Sequence, residues 1–298
     1  MAVKMPAGKR FAVCFSFDVD MTSLWLGCFK FHTMNPLSRG EFGVEGLRRI
    51  LGLLDKYNIK ATFYVPGHTA IHQPASIKEI VVRGHDLGSH GMYHQPREVG
   101  LLGSNTSVEE MRGYLRQQLD ALEKVTGVRP IGFRSPIVDY SAEMPQLLLE
   151  EGYLYDSSMQ GSDFIPYRLR IGDSYQFEEP YDIKLGNPSK IVEIPFMWDL
   201  DDFPHYEFMS YYLDPKNAWY GSSPLSSPDK VKEVWLGHFD FMYESVPGGV
   251  YTTCQHPQCS GRGMRLKCFE EMIQYMRSKP DVWFTTHRQI AEKFVDGE

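Results

Sequence analysis

Residues 84–94 read GHDLGSHGMYH, a stretch in which two histidines stand four residues apart behind a pair of glycines. This spacing predicts that His90 and His94 lie on one face of a helical turn, so that both imidazoles can reach one cation. Gly84 and Gly88 suit a tight passage from a strand into that turn, where the backbone comes close to a ligand. Alone, such a pair of histidines is also typical of a protein surface.

A second stretch, residues 11–20, reads FAVCFSFDVD and ends an apolar run with two carboxylates. The run predicts a buried strand, and the spacing of Asp18 and Asp20 places both side chains on the same face. Alone, such a pair is equally typical of a turn or a helix cap. Two imidazoles with one carboxylate, however, form a three-ligand site for zinc or a similar divalent ion, with a position open for water. The second carboxylate can then act as a base, which indicates a metal-assisted hydrolase.

The composition favours one α/β domain over residues 1–298 and excludes several classes of function. The chain is 42% hydrophobic and 23% charged, and its net charge of −7 argues against nucleic acid as a partner. No apolar stretch is long enough to span a bilayer, and the N-terminus lacks a signal cleavage site, so we expect no membrane association. The odd number of cysteines, five, predicts reduced thiols in a cytoplasmic protein. The spacing of Cys254 and Cys259 matches no common zinc pattern, so no second metal site is expected.

Strand-like and helix-like segments alternate along the chain, which is the pattern of α/β architecture. Strands are predicted at residues 11–19, 60–65, 130–133, 191–195, 249–253 and 281–285. Helices are predicted at residues 46–57, 107–126, 142–151, 265–278 and 288–295. Three irregular segments, residues 21–45, 160–187 and 199–227, break the alternation. Long irregular segments are usually functional, so we expect these to wall a pocket above the strand ends or to make contacts in a homo-oligomer.

Three further motifs follow the aspartate and histidine pairs along the chain. They are an arginine in GFRSP (residues 132–136), a tryptophan with an acidic cluster in EIPFMWDLDD (193–202), and a strand-borne histidine in VYTTCQHP (250–257). Each is ordinary alone. In this order, the series resembles the polysaccharide deacetylase (NodB-homology) family of carbohydrate esterases, from about residue 10 to residue 294. The resemblance implies a distorted (β/α) barrel.

Within this family the sequence is more similar to one branch. Its Asp-x-Asp pair departs from the adjacent aspartates of extracellular chitin and xylan deacetylases. Together with LDDFP (residues 200–204) and HPQCSGR (256–262), it resembles signal-less peptidoglycan deacetylases, cyclic imide hydrolases and related allantoinases. The branch includes enzymes that open small cyclic amides, so the departure leaves the substrate open.

The resemblance implies a metal centre and a base. Asp20, His90 and His94 would hold one divalent ion, zinc being the expected metal, and Asp18 would be the base. Arg134 would pair with this base and keep it ionised through its positive charge.

The resemblance also implies an acid and contacts with the substrate. His256 would protonate the leaving nitrogen, and His238, which also follows an apolar stretch, is its rival. One of Asp199, Asp201 and Asp202 would orient the imidazole, and the sequence does not distinguish the three. We expect Asp202 to be one of the catalytic residues. Trp198, which can also pack against His256, and Trp25 are expected to contact the substrate.

Three functions compete at this point. The first is removal of acetyl from an N-acetylated amino sugar, and the second is opening of a cyclic imide or ureide by the same metal site. The aromatic insertions favour a closed pocket for a small ring, whereas the bulk of the family favours deacetylation. The third is a metal-binding or sugar-binding relative without activity, which would be expected to have lost a ligand, base or acid.

Overall fold

The structure is a computed structural model, and it describes residues 2–31, 33–100, 106–176, 178–207 and 225–295. The strands, numbered in chain order, are β1 Ala2–Val3, β2 Phe11–Asp18, β3 Thr62–Val65, β4 Asp86–Ser89, β5 Gly132–Phe133, β6 Tyr155–Asp156, β7 Tyr167–Ile171, β8 Ser174–Gln176, β9 Asp182–Lys184, β10 Asn187–Glu193, β11 Val250–Gln255, β12 Val282–Phe284 and β13 Phe294–Val295. The α-helices are α1 Met34–Tyr57, α2 Gly67–His72, α3 Pro74–Val82, α4 Val108–Thr126, α5 Met144–Glu150, α6 Phe203–Tyr206, α7 Pro228–Ser245, α8 Pro257–Ser260, α9 Gly263–Arg277 and α10 His287–Glu292.

A nine-stranded sheet organises the fold. Strands β11, β2, β3, β4, β5, β6 and β10 run parallel in that spatial order, and β7 pairs antiparallel with β10 at one edge. Strand β12 pairs with the first half of β2, and strand β3 pairs with the second half of β2. This arrangement curls the sheet into part of a barrel. The predicted α/β architecture, a distorted barrel, is confirmed. Within the described residues, no helix has the length and apolarity needed to cross a membrane.

Parallel pairing brings the carboxyl ends of the strands to one edge of the sheet, where α/β enzymes assemble their sites. Asp18 is the last residue of β2, His90 follows β4, Arg134 follows β5 and His256 follows β11. Strand β2 can run through the centre because every one of its residues is buried, with helices packed on the sheet.

Each strand and helix predicted from the sequence corresponds to an observed element. Ser107 caps the helix α4: its Oγ accepts from the Glu110 backbone N–H at 3.2 Å, and the Glu110 carboxylate accepts from the Ser107 N–H. The helix ends at Gly127, which has φ +76°. All five cysteines lie within the described residues, and none forms a disulfide.

The three segments predicted as irregular contain more regular structure than expected. Helix α1 begins at Met34 and not near residue 46. The sequence did not reveal its first half because glycines stand there in place of an apolar stripe; a Cβ on Gly40 would lie 2.7 Å from the Met21 carbonyl oxygen. Residues 160–187 contain β7 and the β8–β9 hairpin. Most of the third segment, residues 208–224, lies outside the described residues.

Close backbone contact joins α1 to α8, the short helix that follows His256. A Cβ on Gly46 would lie 2.0 Å from the Pro257 carbonyl oxygen, and one on Gly261 would lie 2.4 Å from the Gly46 Cα. Only glycine permits this approach. Helix α1 therefore packs directly behind the turn that carries His256.

Candidate active site

Asp20, His90 and His94 come together at the carboxyl edge of the sheet. Nε2 of His90 lies 3.4 Å and Nε2 of His94 lies 3.6 Å from Asp20 Oδ1, and all three side chains are buried. Neither carboxylate oxygen of Asp20 has a hydrogen-bond partner among the described residues. Burial raises the pKa of Asp20, and this effect outweighs the charges of His256 and His90, which lower the pKa. A buried acceptor without donors, faced by two imidazoles, fits the ligand set of a divalent metal.

The predicted helical turn between the two histidines is wrong. Residues 86–89 form the strand β4, His90 follows it directly, and His94 lies in the next loop with a left-handed φ of 58°. The buried Glu98 holds this loop, because its carboxylate accepts the backbone N–H groups of Met92 and Tyr93. The two imidazoles therefore reach one point from a strand end and a loop, and a helix plays no part.

The tautomer of His90 also suits a metal. Its Nδ1 lies 2.8 Å from the Arg134 carbonyl oxygen, which can only accept, so Nδ1 carries the proton and Nε2 presents a lone pair. Burial lowers the pKa of His90, and it lowers the pKa of His94 to about 4. Both imidazoles are thus neutral at pH 7, as metal ligation requires.

Of the three other clusters of donor atoms in the described residues, two adjoin this site and are less suited to a cation. In one, Cys254 and His256 lie near Asp18; in the other, Cys259 and His256 lie near Asp202. The Cys254 thiol donates to Asp18 Oδ2 at 3.4 Å, and His256 is hydrogen-bonded to Asp202. The Cys259 thiol donates to Glu207, so both thiols and Nδ1 of His256 have hydrogen-bond partners, whereas the Asp20 oxygens have none among the described residues.

Asp18 lies beside this triad in a buried ion pair. Nη1 of Arg134 donates to Asp18 Oδ1 at 2.8 Å, and Nε2 of His90 lies 3.5 Å from Asp18 Oδ2. Burial by itself raises the pKa of Asp18, but Arg134, with His90 and His256, outweighs it and lowers the pKa to about 2. The carboxylate is therefore ionised and able to accept a proton, and Arg134 lies where the sequence predicted it.

Arg134 is itself held rigidly. Its Nε donates to the Ser157 carbonyl oxygen at 2.8 Å, its Nη2 donates to Ser157 Oγ at 2.9 Å, and its guanidinium lies 4.3 Å above the centre of the Tyr64 ring. A fully buried arginine needs such partners for each of its donors.

His256 lies on the other side of the triad, with Nε2 at 3.5 Å from Asp20 Oδ2. Its Nδ1 lies 2.7 Å from Asp202 Oδ1, and the same carboxylate accepts the His256 backbone N–H and the Ser260 hydroxyl. Burial lowers the pKa of His256, but the hydrogen bond and charge of Asp202, with the charges of Asp201 and Asp20, raise it well above its usual value. The imidazole is thus protonated near neutral pH.

The geometry distinguishes the three aspartates that the sequence left open. Asp202 makes the short contact, Asp201 Oδ1 lies 3.7 Å from Nδ1 of His256 and accepts the Phe203 N–H, and the backbone carbonyl of Asp199 accepts from Trp235. Burial raises the pKa of Asp201 to about 7. Asp202 therefore orients the imidazole, and Asp201, another of the three candidates, lines the cavity.

The rival histidine lies elsewhere. His238 is in the middle of α7, packs on Phe164 and borders a separate cavity. This helix was not predicted, although its signals are present: Ser227 caps it, Pro228 begins it, and buried apolar residues recur along one face at Val231, Trp235, Phe239 and Met242.

A cavity of about 570 Å³ opens above these groups. Its walls are largely apolar, with Trp198 on the rim, 43% exposed. Leu24 and Phe29, from the segment predicted to wall a pocket, line it together with Ile137, Val138, Met159 and Phe203. The left-handed backbone of Ile137 and Val138 has no signal in the sequence.

Trp25 does not line this cavity. It is completely buried, packs against Phe29 and Phe31, and lies under the guanidinium of Arg39. The structure therefore places Trp25 behind the wall and not in contact with a substrate, which corrects the role expected for it.

Comparison with known proteins identifies the family of this chain. Residues 39–155 match the family model described as polysaccharide deacetylase. A peptidoglycan deacetylase from Helicobacter pylori is 31% identical over 96% of this chain and 97% of its own. The chain belongs to the polysaccharide deacetylase family. Members of this family are hydrolases that act on carbon–nitrogen bonds.

Solved structures extend the comparison. A protein from Mycobacterium smegmatis assigned to the polysaccharide deacetylases is 34% identical, covers 98% of this chain and 92% of its own, and superposes with a TM-score of 0.81. An allantoinase shares the fold, with 22% identity, coverage of 97% and 91%, and a TM-score of 0.72.

Proposed function

We propose that the protein is a metal-dependent hydrolase that removes N-acetyl groups from an amino sugar, as in peptidoglycan-type glycans. The observation that carries this proposal is the arrangement around Asp20: an ionised base, Asp18, on one side and a protonated imidazole, His256, on the other. Membership of a deacetylase family and the likeness to a bacterial peptidoglycan deacetylase along nearly the whole chain support it.

Asp20, His90 and His94 are the residues that would hold the metal, and zinc suits one carboxylate with two imidazoles. When bound, such an ion supplies Lewis acidity: it lowers the pKa of water and polarises the scissile carbonyl. The site fits this role because Asp20 is buried without a hydrogen-bond donor among the described residues.

The chain's own residues supply the proton transfers. Asp18 accepts a proton from the attacking water, and Arg134 keeps its carboxylate ionised until then. His256 gives its proton to the departing nitrogen, because an amide nitrogen leaves only after protonation. The carbon–nitrogen bond breaks, and acetate and a free amine are released. Asp202 holds the imidazole in place throughout.

A second candidate uses the same machinery to open a cyclic imide or ureide. The observation that favours it is the largely apolar wall of the cavity above the site, which suits a small, flat ring. In this reaction the carboxylate and the amine remain in one molecule.

One experiment tests both candidates. Protein loaded with Zn²⁺ is incubated with N-acetylglucosamine oligomers, succinimide, hydantoin and allantoin, and acetate and ring-opened acids are quantified. Acetate release that a chelator abolishes is the expected result. Ring-opened acid without acetate would establish the second candidate, and neither product above the chelator-treated control would exclude both.

A further inference from the structure

Two buried carboxyl groups, those of Asp156 and Glu193, end neighbouring strands beside the active site. They are register partners in the parallel pairing of β6 and β10, so their side chains lie on the same face of the sheet. Both are completely buried, and within the described residues no basic side chain forms an ion pair with either. Two buried carboxyls without a cation repel each other if both are ionised, so one of them is expected to keep its proton.

The hydrogen bonds of the pair leave a place for that proton. Glu193 Oε1 accepts the backbone N–H groups of Ser158 and Met159 at 3.0 and 2.9 Å. Asp156 accepts the Ser158 hydroxyl at 2.8 Å and the Tyr140 hydroxyl at 2.9 Å, one on each oxygen. Glu193 Oε2 is buried and has no donor among the described residues, although the two carboxyls are within hydrogen-bonding reach of each other. A single proton between the carboxyls supplies the missing bond.

The groups around the pair favour retention of a proton. Burial raises the pKa of both carboxyls, and the charge of Asp156 raises the pKa of Glu193 further. The titratable side chains that act on the pair from neighbouring elements are Tyr140, Tyr167 and Tyr64, and burial raises the pKa of each, so all three are neutral. None of them offers a positive charge.

The basic side chains on the elements packed around the pair are engaged elsewhere. Three arginines are each paired with another aspartate: Arg134 with Asp18, Arg170 with Asp173, and Arg288 with Asp86. Arg168 of β7 donates to the Lys190 carbonyl oxygen and lies over the ring of Phe294. The pair therefore has to satisfy its charge by itself.

The pair holds the loop of residues 157–159, and this loop holds the arginine that pairs with the base. The carbonyl oxygen and hydroxyl of Ser157 accept Nε and Nη2 of Arg134 at 2.8 and 2.9 Å. The Ser158 hydroxyl, which donates to Asp156, also accepts the Ser135 N–H at 2.9 Å. A continuous series of hydrogen bonds thus leads from the pair to Arg134, and from Arg134 to Asp18.

We propose that Asp156 and Glu193 share one proton and act as a positioning pair, which holds the loop of residues 157–159 and, through it, Arg134 against the base. The shared proton does not depend on the substrate. The effect of the pair on turnover rests on the proposed function, in which Asp18 is the base.

Glu193→Gln tests the shared proton. The amide oxygen can still accept the two backbone N–H groups, while the amide N–H₂ donates permanently to Asp156. On unfolding, both parent carboxyls become exposed and ionise above their ordinary pKa of about 4, so the parent releases one proton that the variant does not hold. The unfolding constant of the parent, divided by that of the variant, should therefore rise about tenfold per pH unit between about pH 5.5 and 7.5.

This ratio is measured by urea denaturation of the zinc-loaded proteins at several pH values. Every other titrating group is common to the two proteins, so its contribution cancels. Glu178→Gln makes the same chemical change at an exposed residue after β8 and is the matched control. Its ratio to the parent should not change with pH.

Glu193→Ala tests the positioning role. It removes the bonds to the loop as well as the proton, so kcat for acetate release should fall about 10- to 100-fold, as displacement of a catalytic group implies, with KM changed by less than about twofold. Glu193→Gln should restore most of kcat, because it restores the bonds. Zinc content, measured on the same preparations, corrects each kcat for protein that is not folded. If Glu193→Ala does not fold, Tyr140→Phe, which removes one bond of the pair, should lower kcat about threefold.

The outcomes that contradict the proposal are distinct. An unfolding ratio for Glu193→Gln that stays constant with pH would show that the pair holds no proton. A kcat equal to that of the parent, in Glu193→Ala or in its substitute Tyr140→Phe, would show that the pair does not position Arg134. If the parent releases no acetate, the proposed function fails, whereas the unfolding ratio still decides whether the proton is shared.

Discussion

The two halves of the active site differ in how their polar atoms are satisfied. In the half proposed to bind the metal, both oxygens of Asp20 and Nδ1 of His94 are buried without a hydrogen-bond partner among the described residues. In the proton-transfer half, Asp18 is paired with Arg134 and His256 with Asp202, each through a contact of 2.7–2.8 Å. The polar atoms of one half are satisfied by the protein itself, and those of the other are the atoms proposed to bind the metal.

This difference shows how the site divides its tasks. Leaving a buried carboxylate without donors costs folding free energy, typically about 1–3 kcal/mol for each unmet group. The fold tolerates that cost at Asp20, where a cation would offset it. The base and the acid, in contrast, must keep opposite protonation states a few ångströms apart, and dedicated partners hold them there.

The largest effect is expected from removing a metal ligand. His94→Ala should lower bound zinc from about one ion per chain to near background and abolish turnover, because two ligands do not make a stable site. Elemental analysis of the purified protein measures the metal directly. His72→Ala, a change at an exposed histidine on α2, is the matched control and should keep both metal and activity. Full zinc occupancy in His94→Ala would show that the ligand set is different.

The next effect separates the two halves. Asp18→Asn should retain the metal and lower kcat by about 10²–10⁴-fold, because the amide cannot accept the proton. Metal content and kcat are measured on the same preparation. If the variant instead loses its metal, Asp18 belongs to the first half and the two aspartates have exchanged roles.

Removal of the acid should depend on the substrate. His256→Ala should lower kcat by about 10²-fold for ordinary amides, and much less for substrates with activated leaving groups, which need little protonation. His238→Ala, on helix α7 beside a separate cavity, should change neither. The reverse ranking of these two variants, at equal metal content, would assign the acid to His238.

The smallest effect concerns the partner of the acid. Asp202 is the main group that raises the pKa of His256, so Asp202→Asn should lower this pKa. Activity that needs protonated His256 falls as pH rises through its pKa, and the alkaline limb of the pH profile should therefore move to lower pH. The profile of kcat/KM against pH measures it, and an unchanged limb would mean that Asp202 has only a structural role.

Much of the fold could be predicted from the sequence, because the signals are local. The run of apolar residues at 11–17 predicts a strand buried on both faces, and the Ser107 cap predicts the start of α4. The strand-end positions of Asp18, Arg134 and His256 were also predictable, since predicted strands lead to them and parallel strands end at the same edge, whereas their roles were implied by the family resemblance.

The rest depended on contacts that no local pattern encodes. His94 reaches the site through a loop that Glu98 holds, and four-residue spacing alone suggests a helix instead. Trp25 resembles a substrate-binding residue in sequence but is buried behind the cavity wall. The assignment of Asp202 over Asp201 needed interatomic distances, because adjacent residues at a strand-to-helix turn can point either way.

The glycine contact between α1 and α8 has a consequence for redesign of the enzyme. The position of His256 depends on helix α1, which contributes no residue to the cavity lining. Gly46 of α1 packs against the backbone of Pro257, the residue after His256. A library that seeks new substrates can diversify wall residues such as Leu24 and Phe203. It should keep Gly46 and Gly261 constant, because a Cβ at either position would lie 2.0 or 2.4 Å from backbone atoms and force apart α1 and the turn that follows His256. Catalytic groups must be held to within about 0.5 Å.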